Sequence, residues 1–96
     1  METMQKYEVV TILIGNLTET EAKKIEAEIK ENINKNGKIL TEETWGKRRL
    51  AYKVAKQTEG FYYFYTLETD RAKVTLIKDY LRRNVKIVRF LFIKLS

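Results

Sequence analysis

The sequence predicts an α+β fold in which a four-stranded antiparallel sheet carries two helices on one face. Three observations predict it. Four segments rich in β-branched and aromatic residues are separated by turn residues, two others repeat their apolar positions at three and four, and the order is strand, helix, strand, strand, helix, strand. Each helical segment has a single apolar stripe, so both helices must cover the same side of the sheet.

The first strand, β1, is predicted over 6–14 (KYEVVTILI), whose nearly continuous apolar run suits a strand buried on both faces and therefore central. Gly15-Asn16 breaks it. Thr18 and Glu21 then form a capping box, in which each side chain satisfies the other's free backbone N–H at a helix start. The helix α1 that follows, ended by Asn34-Lys35-Asn36-Gly37, buries Ala22, Ile25, Ile29 and Ile33 at steps of three and four and turns Lys23, Lys24, Glu26, Glu28 and Lys30 to solvent. Gly37 suits the left-handed position that closes many helices.

A long strand, β2, is predicted over 38–54, bent at Gly46. The polar stretch 56–60 (KQTEG) reads as a turn, and 61–68 (FYYFYTLE) as β3, making a hairpin. Thr69 or Asp70 caps a second helix, α2, with Val74, Ile77 and Leu81 on its apolar face and Asn84 at its end. Residues 85–95 form β4. The order β1-α1-β2-β3-α2-β4 is that of the split-βαβ, ferredoxin-like fold, and the chain of 96 residues reads as one such domain.

The chain has no cysteine and no histidine, which excludes disulfides, thiolate chemistry, the usual zinc sites and Ser-His or Cys-His pairs. Nineteen Lys and Arg against thirteen Asp and Glu give a net charge of +6. The excess is uneven: residues 1–37 hold five cations and seven anions, residues 38–96 fourteen and six. A basic field of this kind favours polyanions. No apolar stretch is long enough to span a bilayer and no leader pattern is present, so nucleic acid is expected over membrane and the cytoplasm over export.

The densest cationic segment is Lys47-Arg48-Arg49, set between Trp45-Gly46 and an apolar-aromatic alternation. With a period of two, Arg48, Leu50, Tyr52 and Val54 share one side of the strand and Lys47, Arg49, Ala51 and Lys53 the other. The guanidinium fork fits two phosphate oxygens at once, and every phosphate contact releases counterions. The alternative is a solvated edge strand guarded from aggregation by its charges.

The run from Trp45 to Tyr52 (WGKRRLAY) resembles the signature segment of the bacterial small-subunit ribosomal protein S6 family. Lys6-Tyr7-Glu8-Val9, Gly60-Phe61-Tyr62-Tyr63, Ile87-Val88-Arg89 and Leu91-Phe92-Ile93-Lys94 match in order around it, so the similarity covers Lys6 to Lys94. Lys53 stands where family members commonly have Pro. The resemblance implies the same fold and a structural, non-enzymatic role in the cytoplasmic ribosome. It implies binding to the central domain of small-subunit ribosomal RNA, as a heterodimer with ribosomal protein S18, in the platform. No cofactor, metal or small-molecule substrate is expected. Lys6, Tyr7, Lys47, Arg48, Arg49, Tyr52, Lys53, Arg89 and Lys94 are the expected nucleic-acid contacts.

The aromatic residues admit two readings. Tyr62 and Phe64 share one face of β3, Phe90 and Phe92 one face of β4, and an aromatic face turned away from the helices would take a partner protein. The same face would otherwise stack unpaired bases, as RNA-recognition motifs do, although the cation-Gly-aromatic-small-aromatic pattern of those motifs is missing. Arg82 and Arg83 need no ligand, because they complement the negative end of the α2 dipole. Acylphosphatases share the element order, but their phosphate loop carries an Arg where this chain has Gly15-Asn16-Leu17. The adjacent carboxylates Glu42 and Glu43 point to opposite faces of a strand and cannot act as a pair.

Overall fold

Antiparallel pairing sets the strands in the order β2-β3-β1-β4, so β1 is interior, as its nearly continuous apolar run predicts. The computed structural model describes residues 4–54 and 57–95, the side chains of residues 50–58 excepted. The elements are β1 Met4–Ile14, α1 Glu19–Asn36, β2 Lys38–Val54, β3 Gln57–Asp70, α2 Arg71–Arg83 and β4 Ile87–Lys94.

Strand alternation builds the core. Phe61, Tyr63, Tyr65 and Leu67 of β3 lie buried under the helices, while Tyr62, Phe64, Thr66 and Glu68 between them reach the opposite face and are half-buried. Val9 and Leu13 of β1 join the core with Ile29 and Ile33 of α1 and Ile77 and Leu81 of α2. Each fully buried aliphatic side chain contributes roughly 1.5 to 3 kcal/mol over exposure, which is what fixes both helices on this side. Val10 is buried on the other face, where it lies beside Phe64 and Leu91.

The capping box forms as the sequence predicts. The Thr18 N–H donates to Glu21 Oε1 at 2.9 Å, and the Glu21 N–H donates to Thr18 Oγ1 at 3.1 Å. The backbone and side-chain bonds to Thr18 hold the Glu21 carboxyl below its ordinary value of 4.5. A depressed folded-state pKa means that the contribution of Glu21 is present above the unfolded value and fades as pH falls through the folded one. Thr18→Ala is expected to cost about 1 kcal/mol in urea unfolding at neutral pH. A loss near zero would mean that the helix start is held by packing alone.

Three local expectations are corrected. Gly37 is not left-handed: its φ of −175° and ψ of −157° are extended. The glycine is required for space instead, because a Cβ there would meet the Glu68 carbonyl oxygen and Thr69 Cβ, each at 2.8 Å. Residues 57–60 form strand rather than turn, since Gln57 pairs with Val54, Glu59 with Arg49 and Gly60 with Arg48. Ladder pairing overrides their polar composition because a projecting two-stranded ribbon has no dry face to fill. The last strand starts at Ile87 rather than at 85, because Asn84 builds a turn: its side chain accepts from the Lys86 N–H at 3.0 Å and its carbonyl from the Ile87 N–H at 3.1 Å. Asp70, not Thr69, caps α2, its carboxylate accepting from the Ala72 N–H at 2.7 Å.

Candidate nucleic-acid and partner interface

The hairpin of β2 and β3 outruns the rest of the sheet. Ile14, the last residue of β1, lies opposite Gly60, so the described backbone of residues 49–54 and 57–59 projects past the end of β1. At its base Gly46 has φ of 73°, a left-handed conformation that costs a glycine little, and the β2-β3 register shifts between Thr44 and Gly46. Trp45 is the extra residue. Its ring swings onto the helix-free face, with centroids 4.5 Å from Phe64 and 6.4 Å from Tyr62. Its indole N–H donates to Glu43 Oε1 at 2.6 Å.

Beyond this bulge the three cations divide as alternation predicts. Arg48 lies over the Trp45 ring, 5.7 Å from its centroid, and its Nε donates to the Trp45 carbonyl at 3.1 Å. Lys47 stands on the helix side, 6.0 Å from the Phe61 centroid. Lys47, Arg48 and Arg49 are all exposed. Among the described residues the ion pairs are Lys30–Glu42 at 3.3 Å and Arg82–Asp79 at 3.2 Å, and these three cations take part in neither. Tyr52 and Lys53 have side chains outside the described residues.

The other expected contacts lie elsewhere. Arg89 and Lys94 are exposed on β4, at the opposite edge from β2 and so about 14 Å across the sheet. Lys6 is exposed on β1. Tyr7 is buried on the helix side, its ring 5.2 Å from Phe92 and its hydroxyl donating to Gln5 Oε1 at 2.9 Å, so its ring serves the core. The expected partner set also splits. Tyr62 and Phe64 are on the helix-free face, whereas Phe90 and Phe92 pair with Thr11 and Val9 and pack against the core. Their neighbours Leu91 and Ile93 take the helix-free face and are nearly half exposed, at 43% and 47%.

That face is therefore apolar, but not through the residues expected in β4. Trp45, Tyr62 and Phe64 form one aromatic cluster, and Val10, Leu91 and Ile93 continue it toward β4. Trp45, exposed by 46%, was absent from the expected site. The Gly46 bulge was the available signal, since one inserted residue re-aims the side chain before it.

On the helix side, a groove of about 420 Å³ separates α1 from the Gly46 bend, lined by Glu19, Lys23, Glu26, Thr44, Lys47, Phe61 and Tyr63. Glu26 Oε2 accepts from the Tyr65 hydroxyl at 3.2 Å and from Thr44 Oγ1 at 3.4 Å. Burial, then the Glu26 charge and hydrogen bond, push the Tyr65 phenol far above its usual pKa. Burial, followed by Glu26 and Glu19, also raises that of Tyr63, so its hydroxyl keeps its proton at neutral pH. Among the described residues no cluster of His, Cys, Asp or Glu could hold a metal ion, and no helix is long and apolar enough to cross a membrane.

The family model for ribosomal protein S6 matches residues 6–94. The chain is 37% identical over 94 residues to the small ribosomal subunit protein bS6 of Geotalea daltonii, covering 97% of this chain and 73% of the relative. It is likewise 37% identical over 84 residues to that of Clostridioides difficile, covering 88% of this chain and 87% of the relative. The crystal structure of the 30S ribosomal protein S6 from Thermotoga maritima superposes with a TM-score of 0.92 at 25% identity, covering 97% of this chain and 89% of that one. The fold, the order of the elements and the matched span agree: the chain belongs to the ribosomal protein S6 family of the small ribosomal subunit, a family of structural cytoplasmic proteins rather than enzymes.

Proposed function

We propose that the protein binds small-subunit ribosomal RNA of the central domain through the projecting β2-β3 ribbon, jointly with ribosomal protein S18 as a heterodimer, and so helps to hold the platform. The observation that carries this reading is the exposed Lys47-Arg48-Arg49 set, which engages no described carboxylate and stands where the ribbon leaves the sheet, Lys47 and Arg48 level with the last two residues of β1 and Arg49 just past them. Positioning is the mechanism. Lys and Arg neutralise phosphates, while RNA shape and the protein partner supply the specificity. Arg89, Lys94 and Lys6, on other strands, would extend the contact rather than share one phosphate with the ribbon.

The helix-free face supports the partnership. Trp45, Tyr62 and Phe64 form an aromatic cluster of the kind that anchors protein interfaces. Trp45→Ala is expected to raise the dissociation constant for S18 about 30-fold, as for other central aromatic anchors, with melting unchanged because the ring is surface-bound. Titration calorimetry showing an unchanged constant would remove this face from the partnership.

Filter binding to a central-domain RNA fragment, with and without S18 and across salt, tests the whole reading. Tight, salt-dependent binding that requires S18 is the expected result. Equally tight binding to unstructured oligonucleotides without S18 would instead make the aromatic face a single-strand reader.

A further inference from the structure

We propose that the groove between α1 and the Gly46 bend is a slot for one unstacked nucleotide of the bound RNA, with an amine-bearing base inside and its phosphate at the rim. The proposal rests on the RNA-binding reading above and deepens it. The groove opens beside Lys47, on the helix side of the cationic ribbon, so a strand held by Lys47 and Arg49 passes its mouth.

The lining matches the two ends of a nucleotide. Phe61 and Tyr63 supply an aromatic floor, which takes a base face whatever its sequence. Lys23 and Lys47 supply cations for the phosphate, and Glu19 and Glu26 supply acceptors for an exocyclic amine. A partner's Lys or Arg side chain would use the carboxylates but be repelled by the two lysines, and inorganic phosphate would use the lysines but be repelled by the carboxylates. A nucleotide uses both. The volume of about 420 Å³ lies within the range of small-ligand sites.

A second observation singles out this groove. Tyr63 is 97% buried by residue area, being only 3% exposed, and it lines the slot. Its hydroxyl makes no hydrogen bond with any described residue, whereas Tyr65 two residues on donates to Glu26. The hydroxyl is not among the enclosed polar atoms that lack a partner, which are Thr11 Oγ1 and Asn32 Oδ1 among the described residues, so it opens to the solvent of the groove, where a ligand can take its hydrogen bond in place of water. Gly46 itself lines the groove, and the space beside it is open, since a Cβ there would meet nothing within 4 Å.

The test is a nitrogen-15 NMR titration with 5′-GMP, AMP, CMP and UMP and with inorganic phosphate. The amine-bearing nucleotides are expected to shift the amides of Lys23, Gly46, Lys47 and Tyr63 together. UMP is expected to bind about 10-fold more weakly, as befits the loss of a hydrogen bond to a charged acceptor. Tyr63→Phe is expected to weaken GMP about 5-fold, and the rim variant Glu19→Gln to narrow the gap between GMP and UMP, each with an unchanged circular dichroism spectrum. Equal shifts with phosphate alone, equal affinity for UMP, or no shift at these amides would overturn the slot. The ribosomal RNA fragment is titrated in parallel: fragment binding without nucleotide shifts rejects the slot alone, whereas absence of fragment binding with S18 present rejects the RNA-binding reading beneath it.

Discussion

Replacing Lys47, Arg48 and Arg49 together by Ala is expected to weaken binding of the S18 heterodimer to a central-domain RNA fragment about 100-fold at physiological salt. Each exposed cation that meets a phosphate contributes on the order of 1 kcal/mol once solvent screening is allowed for, so three give roughly two decades. The salt slope carries the sharper information. Every lost phosphate contact lowers its magnitude by roughly 0.7 to 0.9, so the triple variant should lose about 2 to 3. Stability should hardly move, because all three side chains are exposed and none is in an ion pair with a described carboxylate. An unchanged slope would take the ribbon out of the interface, and the edge-guarding role of the charges would then account for them.

Ile29→Ala should produce the largest change in stability, about 2 to 5 kcal/mol in urea unfolding. Ile29 is wholly buried in α1 and belongs to the cluster that joins α1 to Leu67 and Tyr65 of β3 and to Ile77 of α2. A domain of this size has a margin on the order of 5 to 10 kcal/mol, so the variant would lose a large part of it. The exposed Ala27 in the same helix gives the control, since its change to Ser should cost under about 1 kcal/mol. A cost at Ile29 as small as that at Ala27 would mean that α1 does not rest on the sheet in the orientation described.

The two results separate the parts of the molecule. The core residues decide whether the sheet and helices form, and the ribbon decides what they hold. An account in which cations stabilise the fold predicts the reverse pattern, with the triple variant melting and Ile29 tolerated.

The order of elements, the interior place of β1 and the capped start of α1 were legible in the amino acids, because each rests on short-range rules. A β-branched run such as Val9 to Ile14 fits a strand covered on both faces, and Thr18 with Glu21 needs only one turn of backbone to close its two hydrogen bonds. The cationic ribbon was legible for the same reason, since Lys47, Arg48 and Arg49 are adjacent in the chain. What tertiary structure alone decided is which face a strand turns inward and which distant residues meet. The partner of β4 fixes its register, so Phe90 and Phe92 go to the core and Leu91 and Ile93 outward, and a shift by one residue would have exchanged them. Likewise the glycine after α1 was set not by its own φ but by the close passage of β3, and Trp45 joined Tyr62 and Phe64 because one bulged residue rotated it there. Periodicity states that two faces exist; only pairing across the sheet, where neighbouring strands constrain each other, says which of them meets water.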